Sequence, residues 1–127
     1  MNKIKYNEKE EAYEIVYKIW EKDMTVRFYV EEQEDIMENI SEIAAKLDRL
    51  NRSKSTVVRL VADDGYYEGA AETLEDFIML VKVYVDIDED EVVLCFTVNS
   101  TDGYMKSPLS MELFDNEFEV LGWDDFT

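Results

Sequence analysis

The feature that most constrains what this chain can fold into is a change of hydrophobic period near Gln33. Before it, apolar residues recur at every second position. Tyr13, Ile15, Tyr17 and Ile19 share one face of an extended segment, with Glu14, Val16, Lys18 and Trp20 on the other. Glu21-Lys22-Asp23 is polar and turn-like, and Met24, Val26, Phe28 and Val30 then alternate again, so the spacing predicts a hairpin. Ile4 and Tyr6 allow a short strand ahead of it. Beyond Gln33 the step lengthens: Ile36, Ile40, Ile43, Leu47 and Leu50 recur at three and four residues, the stripe of an amphipathic helix. Glu34, Asp35 and Glu38 near its start and Lys46, Arg49 and Arg52 near its end suit the helix dipole.

The middle of the chain is less periodic. Val57, Leu60 and Val61 fit a helical step, but Thr56-Val57-Val58 is β-branched, so residues 54–62 read as helix or as strand. That choice decides where residues 63–68 point. Asp63-Asp64-Gly65 ends the element in either case. Thr73, with Asp76 three positions on, predicts a capped helix over residues 74–81.

The last third returns to alternation. Val83, Val85 and Ile87, then Val92, Leu94, Phe96 and Val98, flank an acidic turn. A loop with Gly103 and the sole proline, Pro108, precedes Met111 and Leu113. Asp115-Asn116 suits a tight turn before Phe118, Val120 and Trp123. Strands, helices and strands again predict an α+β fold, with an antiparallel sheet from an N-terminal hairpin and C-terminal strands packed against two or three helices. At 127 residues, with no linker-like stretch, residues 1–127 read as a single acidic domain.

That acidity is the second constraint. There are 31 Asp and Glu against 13 Lys and Arg, a formal net charge of −18. Such a field repels nucleic acid and anionic membranes and attracts cationic proteins, so the expected partner is a basic protein, without direct nucleic-acid or membrane binding. Chemistry has few footholds. The chain has no histidine, and its lone cysteine, Cys95, lies in the apolar run Val92-Val93-Leu94-Cys95-Phe96 and reads as a small buried hydrophobe. Asp86, Asp88 and Asp90 copy the first ligand positions of a calcium loop, but Glu91 stands where glycine is required and Thr97 where a bidentate glutamate belongs. An acidic hairpin turn is the expectation there, with no metal site, no catalytic residue and no cofactor. Residues 1–6 lack the apolar run of a signal peptide, and no segment reaches the roughly 20 apolar residues that span a bilayer. A cytoplasmic location is expected.

Three aromatic and acidic clusters are candidates for a partner-binding surface. Tyr66 and Tyr67 sit among Asp63, Asp64 and Glu68; Trp123 begins the tail with Asp124, Asp125 and Phe126; Tyr104 follows Asp102-Gly103. Aromatic rings supply buried area and carboxylates steer a basic partner. Tyr66 and Tyr67 admit an alternative reading as cover for the edge of the core. Glu31, Glu32, Glu34, Asp35 and Glu38 could imitate a row of phosphates or form a solvated acidic face.

Leu74-Glu75-Asp76-Phe77 leading into two long strands, and the closing hairpin with Phe118-Glu119-Val120-Leu121-Gly122-Trp123, carry a resemblance. From Thr73 onward the chain resembles small uncharacterised bacterial α+β proteins that occur as immunity proteins of polymorphic toxin systems. Where such proteins often have a Trp–Asp and a Glu–His–Gly run, this chain has Ser100-Thr101-Asp102-Gly103-Tyr104. The resemblance implies binding and neutralisation of a cognate toxin; with the acidic charge, the expected mechanism is occlusion of a basic toxin such as a nuclease. The alternative expectation from charge alone is a phage-type DNA mimic that inhibits a restriction or CRISPR effector.

Overall fold

The computed structural model describes residues 3–89 and 91–124. Strands β1 (Lys5–Asn7), β2 (Ala12–Ile19) and β3 (Lys22–Phe28) come first, followed by helices α1 (Gln33–Glu38), α2 (Ile40–Arg52), α3 (Lys54–Asp63) and α4 (Ala71–Phe77). Strands β4 (Ile78–Asp88), β5 (Glu91–Ser100), β6 (Leu109–Phe114) and β7 (Glu117–Trp123) complete the order. All seven strands form one sheet whose spatial order is the chain order. The α+β class stands, but the sheet is mixed rather than wholly antiparallel. β3 and β4 run parallel, with Val26 opposite Val83 and Phe28 opposite Val85. Four helices separate these two strands, and that long connection returns the chain to the starting end, so β4 leaves in the same direction.

The first hairpin turns one residue earlier than its polarity suggests. Ile19 pairs with Lys22, leaving Trp20 and Glu21 as the two turn residues, both at positive φ (53° and 66°). Two left-handed residues match the right-handed twist of the flanking strands. The end of α2 fixes this turn: the Trp20 indole N–H donates to the Leu50 carbonyl at 2.9 Å, and the Trp20 backbone N–H donates to Asn51 Oδ1 at 2.8 Å.

The helices depart from their sequence pattern at two places, and the open choice at residues 54–62 falls to helix. The stripe from Ile36 to Leu50 is broken at Asn39 (φ −111°, ψ 13°), whose side-chain amide donates to the Asp35 carbonyl at 2.8 Å, so one expected helix becomes α1 and α2. Residues 54–62 are helical despite their β-branched run, because Val57, Val58 and Val61 bury together on one side of α3. The helix expected over residues 74–81 runs instead from Ala71 to Phe77, with Ala70 rather than Thr73 at its cap position. Ile78 and Leu80 belong to β4, opposite Ser100 and Val98.

Alternate strand residues meet the helical stripe in one core. Ile15, Ile19, Phe28, Phe96 and Met111 are buried from the sheet, and Ile36, Ile43, Leu47, Leu50 and Leu74 from the helices. Two cations of α2 reach past the helix itself: Lys46 Nζ, largely buried, donates to the Asp115 carbonyl at 2.9 Å, and Arg49 to the Asn116 carbonyl at 3.0 Å. They anchor the β6–β7 turn, where Asp115 has φ 57°.

Phe28→Ala removes a ring with no exposed surface beside the parallel seam and is expected to cost about 3–5 kcal/mol in urea unfolding. Trp20→Phe keeps an aromatic ring but removes the indole donor to the Leu50 carbonyl, which retains the Ser53 N–H, with an expected loss of about 1 kcal/mol. An unchanged midpoint for Trp20→Phe would show that the turn is held without that clasp.

Candidate partner-binding site

The end of α3 sets the first part of the site. The Tyr66 N–H donates to the Val61 carbonyl at 3.0 Å and the Gly65 N–H to the Ala62 carbonyl at 3.2 Å, with Gly65 at φ 83°. This is a Schellman ending, and the left-handed position it needs is the one glycine fills without strain. It leaves Asp63 and Asp64 exposed at a helix C-terminus that has no basic residue in its last turn. Two adjacent carboxylates there oppose the helix dipole as well as each other.

β7 supplies the second part. The β6–β7 register slips between Ser110 and Met111, and Gly122 has φ 133°, so an extra residue enters β7 and Trp123 comes to lie opposite Leu109 on the core side. The Trp123 ring meets Tyr66 edge-on, with centroids 5.1 Å apart.

Asp102 organises the third part. Its carboxylate accepts from the Tyr67 hydroxyl at 2.6 Å, from the Tyr104 N–H at 3.1 Å and from the Ser100 hydroxyl. The Glu68 N–H donates in turn to the Tyr104 carbonyl at 3.2 Å, and the rings of Tyr67 and Tyr104 meet edge-on at 6.1 Å. Gly69 admits the Tyr67 ring, since a Cβ there would lie 2.7 Å from Tyr67 Cε2. Burial, with help from the Asp102 carboxylate, pushes the Tyr67 phenol up to about 12. Desolvation would raise the Asp102 carboxyl, but the hydrogen bonds from Ser100, Tyr67 and Tyr104 outweigh it and hold that group below its ordinary value.

Tyr66, Glu68, Tyr104 and Trp123 thus come together around a cleft of about 380 Å³, together with Lys106. Tyr104 is 52% exposed and Tyr66 and Trp123 are half-buried. Asp63 and Asp64 stand beside it at the end of α3. Tyr67 does not belong to the accessible surface: it is 4% exposed, and for this residue the core-edge reading holds, because its hydroxyl reaches inward to Asp102. Asp124 also points elsewhere. Its carboxylate lies 3.9 Å from Lys82 Nζ and is only 11% exposed, while its N–H donates to the Pro108 carbonyl at 2.7 Å. Asp125 and Phe126 lie outside the described residues.

Two members of the site had little signature in the sequence. Lys106 brings a cation into an otherwise aromatic and acidic cleft, and no local pattern marks it. Asp102 was legible only as an Asp-Gly turn, whose side chain accepts from the N–H two residues on. Its bonds to Tyr67 and Ser100 depend on the fold. Around the acidic stretch β4 and β5 pair antiparallel, with Asp86 opposite Val93 and Asp88 opposite Glu91; Asp90 lies outside the described residues. Edge-exposed aromatics beside carboxylates can bury an apolar or cationic side chain.

The two titrations give opposite expected pH effects. The raised Tyr67 phenol contributes stability that is present below pH 10 and lost as pH rises toward 12. The lowered Asp102 carboxyl contributes stability present above the ordinary aspartate range and lost as pH falls through its depressed value. Tyr67→Phe is therefore expected to lower Tm at pH 7 and to flatten the loss between pH 10 and 12. A variant with the wild-type alkaline profile would remove Tyr67 from that role.

Comparison with models of known protein families, with characterised proteins and with solved structures finds no match.

Proposed function

We propose that this chain is an acidic binding protein that inhibits a basic protein partner by occlusion, in the manner of an immunity protein neutralising a cognate bacterial toxin. The observation that carries this reading is the cleft of Tyr66, Tyr104 and Trp123, set beside Asp63, Asp64 and Glu68 on a chain of net charge −18. Rings held edge-on by their neighbours lose little freedom on binding, and they can fill desolvated pockets on a partner. The flanking carboxylates would pair with the Lys and Arg that a nuclease uses on its own phosphate-rich substrate, which blocks that substrate without any chemistry. Asp63 and Asp64 support the reading from the side of stability. They oppose a helix dipole at a local cost that solubility does not require.

The test is affinity capture from a lysate of the source organism, followed by kinetics on the recovered protein. One basic, toxin-like partner is expected, with an association rate that falls steeply between low and high salt. Tyr104→Ala, at an exposed ring outside the core, is expected to weaken binding by about 2 kcal/mol or more with little change in Tm. An on-rate flat with salt would overturn the electrostatic mechanism. Recovery instead of several unrelated DNA-handling enzymes, all displaced by added duplex DNA, would transfer the inhibitor to the DNA-mimic class.

A further inference from the structure

The sheet has two open edges, and they differ. β1 spans three residues, whereas β7 spans seven and pairs only with β6 among the described residues. Phe114 and Glu117 close the two-residue Asp115-Asn116 turn, so they are the bonded pair of the hairpin. Strict alternation then turns the N–H and C=O of Phe118 and Val120 away from β6, toward the open side. A long edge with outward backbone groups is a template for another strand, and proteins ordinarily blunt it with a lysine, a proline or a covering element. β7 carries neither lysine nor proline; its charges are Glu117 and Glu119.

The placement of those charges says what would fit. Glu119 lies directly opposite Glu112 of β6, and Glu117 follows two positions away on the same face. Like charges directly opposed weaken a sheet. No Lys or Arg among the described residues forms an ion pair with Glu112, Glu117 or Glu119. A second copy joined edge to edge would add its own Glu117 and Glu119 to the cluster. A strand with Lys or Arg at alternate positions would instead place cations beside these carboxylates. The edge also runs directly into Trp123 and the cleft.

We propose that β7 is a docking edge for an extended, Lys- or Arg-bearing segment of the partner, which joins the sheet as an eighth strand. This rests on the basic-partner reading and adds the mode of binding: backbone bonds to Phe118 and Val120, and basic side chains beside Glu117 and Glu119.

The experiment uses the full chain and a capped seven-residue peptide alternating lysine and threonine. A control peptide has the same sequence with alternate amides N-methylated, which keeps the charge and removes the donors. At low salt, the lysine peptide is expected to shift the amide resonances of residues 117–120 and to slow hydrogen exchange at Phe118 and Val120 about tenfold. The N-methylated peptide is expected to leave that exchange unchanged. Val120→Pro deletes the outward N–H, leaves the pairing to β6, and is expected to abolish the response to the lysine peptide. Glu119→Gln, which cannot disturb the backbone, is expected to weaken it. An equal response to both peptides, or shifts confined to Tyr66 and Tyr104, would overturn the docking edge and leave the basic-partner reading standing. No salt-sensitive response to any lysine peptide would overturn both. Concentration-dependent dimerisation that protects Phe118 and Val120 would also overturn the proposal, by assigning the edge to a second copy.

Discussion

The parallel seam between β3 and β4 is the constraint on which the rest of the structure depends. Antiparallel neighbours need only a turn between them, but parallel neighbours need a crossover, and here the crossover contains all four helices. With the helices committed between two central strands, their apolar stripe has one set of strand residues to cover, running from Ile15 through Phe28 and Phe96 to Met111. The seam also divides the chain into two antiparallel blocks, β1–β3 and β4–β7, which meet only there within the sheet. The C-terminal block is tied back to the crossover a second time by Lys46 and Arg49, which hold the β6–β7 turn through its carbonyls.

The candidate site grows out of that arrangement. α3 delivers its C-terminal loop to the end of β7, and the β5–β6 connection meets the same loop. A single buried-side acceptor, Asp102, joins the two loops through Tyr67, Ser100 and the backbone of Tyr104. The consequence is a division of labour between adjacent tyrosines: Tyr67 is spent inside the fold, and its fixed position leaves Tyr66 and Tyr104 facing the cleft. Around this pinned centre the structure tolerates charge arrangements that favour neither helix nor sheet, at Asp63 and Asp64 and again at Glu112 and Glu119. Both become favourable beside a cationic surface.

Much of the architecture could be read from the chain. Period-two alternation located β2 to β7, and the three-and-four stripe located the helix around Leu47, because those patterns are direct consequences of which side of an element is dry. The choice left open at residues 54–62 and the difference at residues 78–80 fall where local propensity and burial disagree. Thr56-Val57-Val58 favours a strand in isolation, yet three valines at helical spacing bury on α3. Ile78 and Leu80 continue a helical step from Leu74, yet they are strand residues because Ser100 and Val98 stand opposite them. The expected dipole role of Lys46 and Arg49 was incomplete, since their partners are more than sixty residues away.

The sequence by itself determined the class of elements, the net negative charge, the lack of histidine and the apolar setting of Cys95, since composition and local period need no knowledge of what lies across the fold. Only the tertiary structure decided the parallel seam, the burial of Tyr67 beside an accessible Tyr66, the gathering of Tyr66, Tyr104 and Trp123 around one cleft, and the opposition of Glu112 to Glu119. Each of these is a pairing between distant segments. Strand register and loop convergence are set by how the whole apolar surface is buried at once, and no window of residues carries that information.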